Sequence, residues 1–198
     1  MKKLSIYLFL FVKLSCGIAE AYSSDPKEFV GELVNDAISK LSDKSISIEE
    51  KEKFIEKIAL ENVDIKALGL YTLGEVRKSA EKSDLTNYQK TFEKYFLKSL
   101  TSRLSDYSTN KFEVLEAEIK NSNYTIVKSK IIESSDQPEV KIDWRIYTKD
   151  KLKPLIRDLI VEGLSLARTQ KEEFASILNS NNNNVDILIQ KLEEFSKN

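Results

Sequence analysis

At Tyr107 the spacing of apolar residues changes from every third or fourth position to every second, and this change leaves few architectures open. Upstream, Leu85, Tyr88, Phe92, Phe96, Leu100, Leu104 and Tyr107 form one stripe at helical spacing. Downstream, residues 111–120, 123–132, 140–147 and 155–161 read as four strands. Their links, at 121–122, 133–139 and 148–154, are short and polar, as expected between antiparallel neighbours. In the third strand Val140, Ile142, Trp144 and Ile146 alternate with Lys141, Asp143, Arg145 and Tyr147, which predicts one covered face and one wet face. Helices first and strands afterwards is an α+β order, not an alternating α/β one.

The last strand leads straight into a helix. Glu162-Gly163 breaks the run, and Ser165 is placed to accept from the free N–H groups of a helix carrying Ala167, Phe174, Ile177 and Leu178. A sheet edge that turns into a helix can fold that helix back over the sheet, with the upstream chain enclosing whatever lies between. At the other end, Asp25-Pro26 starts a helix whose stripe is Phe29, Val30, Leu33, Val34, Ala37, Ile38 and Leu41. A second helix begins near Ile48, and residues 64–74, with Gly69 and Gly74, suggest brief helical turns with a close backbone approach or a bend. After an asparagine-rich break at 179–184, Val185, Leu188, Ile189, Leu192 and Phe195 form a final amphipathic helix. With no internal repeat and no long linker, residues 22–198 read as one domain: helices over 26–107, sheet over 111–161, and C-terminal helices over 164–196. The aromatics in the stripe ending at Tyr107 are either plain core or the lining of a cavity.

Residues 1–21 follow the grammar of an export signal. Lys2 and Lys3 precede an apolar stretch at 4–12, and Ala19-Glu20-Ala21 offers a small-x-small site, so cleavage after Ala21 is expected. Lys13 is an interruption, but the apolar stretch is too short to span a bilayer. Cys16 is the sole cysteine, so the mature chain would be held by packing alone, without disulfides. The net charge is −1 with both signs mixed, which gives no basic face for nucleic acid.

Chemistry is sparse. There is no histidine, and the mature part lacks cysteine, which removes the usual zinc ligands and the common nucleophile–base pairs. Ser165 lacks the second glycine of a nucleophile elbow and reads as a helix cap. No phosphate-cradling glycine pattern occurs. Asp143, Asp158 and Glu162 are the candidate carboxylates in or beside the strands. They read as an acid or base in an apolar pocket, or as a solvent-facing residue, a partner for Arg145 or Arg157, and a turn residue. No catalytic residue, metal ligand or cofactor is assigned.

The run Asp-Leu-Ile-Val-Glu-Gly-Leu-Ser-Leu at 158–166, followed by Glu-Phe-Ala-Ser-Ile-Leu at 173–178, resembles the C-terminal signature of the MlaC family. These are the periplasmic phospholipid-binding components of the Mla lipid-transport system, also called toluene-tolerance proteins. Asp25-Pro26-Lys27-Glu28-Phe29-Val30 is similar to the start of the mature family chain, and Val63-Asp64-Ile65 with Leu68-Gly69 and Leu73-Gly74 to its middle helical segment. Val-Lys-Ile-Asp-Trp-Arg-Ile at 140–146 resembles a family strand in which Trp144 takes a tyrosine position. Val76, Leu100 and Pro154 depart from residues that are commonly aromatic.

The resemblance implies a curved antiparallel four-stranded sheet packed against helices, similar to NTF2-like and cystatin-like folds, with extra N-terminal helices. It also implies a periplasmic phospholipid carrier that performs no chemistry and maintains outer-membrane lipid asymmetry. Its implied partners are phospholipid, an inner-membrane ABC transporter with its lipid-binding ring protein, and an outer-membrane lipoprotein–porin complex. On this reading the acyl chains meet Phe29, Leu33, Leu68, Tyr71, Phe92, Phe96, Leu100, Ile142, Trp144, Ile160 and Leu164, each of which reads equally as plain core. Arg145 or Lys141 either meets a phosphate at the sheet rim or is solvated surface. Two rivals stand beside the carrier: an NTF2-like enzyme with a desolvated carboxylate, and an interaction module with a filled core.

Overall fold

The computed structural model of the chain describes residues 22–104, 111–132 and 138–197. The expected signal peptide and Tyr107 lie outside the described residues. Helix α1 (Pro26–Ser42) starts where Asp25 accepts from the N–H groups of Lys27 and Glu28, with Pro26 in the first turn where its missing N–H costs little. Helix α2 (Ile48–Asn62) opens on a reciprocal capping box between Ser47 and Glu50. Asp64 caps the short α3 (Ile65–Thr72), and a 3-10 turn at Gly74–Lys78 leads to the long α4 (Lys82–Leu104).

The strands are β1 (Phe112–Asn121), β2 (Tyr124–Ile131), β3 (Val140–Tyr147), β4 (Leu155–Val161) and a two-residue β5 (Leu164–Ser165). They lie in the order β1-β2-β3-β4-β5, each antiparallel to the next. The four expected strands are present, and β5 extends the sheet beyond them. It exists because Glu162 and Gly163 both take positive φ, +49° and +81°, which a two-residue hairpin loop demands. Ser165 then accepts from the Arg168 N–H and starts α5 (Leu166–Asn179); α6 (Val185–Lys197) completes the described chain.

Among the described residues two cores, which meet at Val63, hold these elements. In one, α1 lies on the sheet face carrying Val127, Trp144, Ile146 and Ile156, burying Phe29, Val30 and Leu33 against them. The Trp144 indole N–H, buried there, donates to Ser129 Oγ at 2.8 Å, so the burial leaves no orphaned donor. The other core is helical: Ile65 and Leu73 by α3, Tyr88 and Phe92 of α4, Phe174 and Leu178 of α5, and Val185, Leu188, Ile189 and Leu192 of α6. The aromatic stripe of α4 therefore packs among helices and not on the sheet. Helical spacing announces a buried face without saying what covers it.

Candidate functional site

Side chains alternate across a sheet, so the face opposite α1 carries Tyr124 and Ile126 of β2 and Asp143, Arg145 and Tyr147 of β3. In β4 the register slips between Arg145 and Ile146 of its partner, and Arg157 is the extra residue opposite that slip. This bulge lets Arg157 and Asp158 act on the same face. Helices α3 and α5 cover this side of β4.

Between that face and α3 lies a half-open cavity of about 690 Å³. Ala67, Leu68, Leu70 and Tyr71 of α3 form one wall, with Arg77 of the 3-10 turn and Ala167 of α5 beside them. The sheet contributes Tyr124, Ile126, Arg145 and Arg157, together with Lys120 and Asn121 at the end of β1. The volume falls within the range of ordinary small-molecule sites. A smaller cleft of about 180 Å³ lies between α3 and α4, beside Ile65, Gln89 and Glu93.

Arg157 ties the cavity wall together. Its guanidinium carbon lies 3.4 Å from the Tyr147 ring centre, and Nη1 donates to the Tyr124 hydroxyl at 2.6 Å. Nε and Nη2 both donate to Asp64 Oδ2, at 2.8 and 2.6 Å, linking β4 to the start of α3. Partial burial pulls the Arg157 pKa down, but the bonds to Tyr124 and Asp64 outweigh it and hold the group above its ordinary value. The Asp64 N–H also donates to the Ile156 carbonyl at 2.9 Å, so side chain and backbone clamp the same two elements.

Asp158 is buried, as the desolvated carboxylate of an enzyme would be, yet its oxygens are engaged. Oδ2 accepts from Ser165 Oγ at 2.7 Å and Oδ1 from the Ala167 N–H at 3.0 Å, while Arg145 Nη1 stands 3.3 Å from Oδ2. A carboxylate so occupied anchors the beginning of α5 to the sheet, and it does not line the cavity. Among the described residues no buried side-chain nitrogen or oxygen lacks a hydrogen-bond partner.

Of the eleven residues expected around acyl chains, Leu68 and Tyr71 line this cavity. Phe29, Leu33, Ile142 and Trp144 belong to the core on the α1 side of the sheet, and Phe92 and Phe96 to the helical core. Leu100 and Ile160 are half-buried, and Leu164 is exposed beside the β4–β5 turn. Ala67, Leu70, Arg77, Lys120, Asn121, Tyr124, Ile126 and Ala167 were not anticipated, and Arg157 only as an ion-pair partner. Their signal in sequence is faint, because a polar residue alternates identically whether it faces water or a cavity.

An antiparallel meander with helices on both faces, and a half-open cavity between one face and a short helix, defines a ligand-enclosing α+β protein. A family model described as the MlaC protein matches residues 31–194, and the chain belongs to the MlaC family. A solved structure described as a phospholipid-binding protein from Ralstonia solanacearum in complex with a phospholipid is similar in fold, with a TM-score of 0.70. The two chains are 17% identical, and the match covers 90% of this chain and 98% of the other.

Proposed function

We propose that this chain is a phospholipid carrier whose ligand occupies the cavity between α3 and the sheet. The observation that carries the reading is the two-sided lining: Leu68, Leu70 and Ile126 offer hydrocarbon contact, while Arg77 and Arg145 offer charge. An amphiphile with an anionic group matches both halves, and membership of the MlaC family supports a lipid as that amphiphile. A diacyl lipid leaving a bilayer exposes about thirty methylenes, which at ~0.8 kcal/mol each costs roughly 25 kcal/mol. A carrier must offer comparable burial without exceeding it greatly, since a pocket far tighter than the donor could not unload. Such transfer needs no bond making.

The finer role is that of a periplasmic ferry. It would exchange phospholipid between an outer-membrane lipoprotein–porin complex and an inner-membrane ABC transporter with its lipid-binding ring protein, after export and cleavage following Ala21. Mass spectrometry of organic extracts from gently purified protein tests the carrier reading. Stoichiometric phospholipid is the expected result, and protein free of lipid overturns it.

A further inference from the structure

Four cationic side chains line the cavity, and among the described residues no carboxylate does. Their charges are answered unequally. Arg157 is neutralised by Asp64 at 2.6 Å, and Lys120 pairs with the exposed Glu118. Arg145 makes one long contact to an Asp158 already occupied by Ser165 and Ala167, and its side chain stays 41% exposed against 1% for Asp158. Of the five N–H donors on a guanidinium, that contact engages one. Arg77 donates Nη1 to the Leu70 carbonyl at 3.1 Å and, among the described residues, forms no ion pair. Lys171 stands 5.2 Å from the Tyr71 ring centre, and the exposed Glu75, already paired with Lys78 at 2.6 Å, lies near enough to feel both Arg77 and Lys171. A surplus of positive charge is thus gathered in one cavity of a chain whose net charge is −1.

We infer that the cavity seats a lipid phosphate between Arg77 and Arg145 and selects phospholipids of net negative charge, such as phosphatidylglycerol, over zwitterionic phosphatidylethanolamine. The inference rests on the phospholipid-carrier reading and specifies its head group. Guanidinium groups present paired donors that match phosphate oxygens. An ethanolamine ammonium brought to the same place meets cations and no lining carboxylate, and like charges repel most strongly where water is partly excluded. Glycerol hydroxyls carry no such penalty.

The test incubates the full mature protein with vesicles containing equal amounts of phosphatidylglycerol and phosphatidylethanolamine, re-isolates it, and measures the bound lipid by mass spectrometry. Enrichment of phosphatidylglycerol by about fivefold or more is expected, falling toward parity in Arg77→Gln. Arg145→Lys keeps a cation beside Asp158 but loses the paired donors, so it is expected to reduce the enrichment with an unchanged melting temperature. Equal uptake of both lipids by the unaltered protein overturns the head-group inference and leaves the carrier reading standing. Uptake of neither lipid overturns both. A melting temperature raised as much by inorganic phosphate as by phosphatidylglycerol assigns the arginines to a free anion and overturns the inference.

Discussion

Asp64 performs three tasks with one side chain and one N–H. It accepts from the Ala67 N–H at 3.1 Å to start α3, takes both Arg157 contacts, and its backbone bonds the Ile156 carbonyl. Asp64→Ala loses the cap and leaves the Arg157 charge partly buried and unmatched, an expected cost of about 2–3 kcal/mol in urea denaturation. Asp64→Asn retains a capping oxygen and should recover part of that loss. Tyr88, with no exposed surface, shares a 2.9 Å hydrogen bond with Thr72 Oγ1. Burial pushes its phenol above the ordinary value of 10.0, against a smaller opposing effect from Thr72. The unfolded phenol therefore ionises first, and the stability held below pH 10.0 is lost as pH rises toward the folded value. Tyr88→Phe should flatten the decline in melting temperature above that pH, leaving the contribution of the similarly shifted Tyr22.

At the scale of elements, the strongest constraint on α3 is how closely it approaches α4. A Cβ built at Gly69 would stand 2.8 Å from Phe92 Cδ1, and 3.1 and 3.2 Å from the Gln89 amide atoms. Gln89 is flexible and can withdraw, but Phe92 is a buried ring wedged between Tyr88 and Phe174. Gly69→Ala is thus expected to cost about 1–3 kcal/mol through overpacking, read as a lower denaturation midpoint with an unchanged slope. The sequence left a close approach or a bend open at this glycine, whereas the helix starts at Pro26, Ile48 and Leu166 were legible, because caps and periodicity are local. The partner of α4 was not legible, since a stripe of apolar residues fits a helical neighbour as well as a sheet. The bulge at Arg157 was equally hidden: alternation assumes an unbroken ladder, and one extra residue moves a charged side chain to the other face. Arg145 and Tyr124, on unbroken alternation, read as solvated surface because a polar residue alternates the same way whether it faces water or a cavity.

For the whole molecule, the two cores and the cavity make stability and ligand capacity separable. The sheet is packed on one side by α1, while α3, held to α4 and α6 through the helical core, stands over the other side with the cavity beneath it. A substitution in either core should loosen the frame, whereas one in the α3 wall should change what fits inside. Phe92→Ala removes a fully buried ring from the helical core and should cost about 3–5 kcal/mol, while folded molecules retain their lipid. Ala67→Trp adds bulk where α3 already borders open space, so the melting temperature should hold while lipid recovered per protein falls about tenfold through occlusion of the cavity. Both quantities come from one preparation: thermal unfolding for the frame, and quantitative lipid extraction for the contents. If Phe92→Ala empties the folded protein of lipid and Ala67→Trp does not, the acyl chains lie along the aromatic stripe of α4, and the cavity under α3 holds something else.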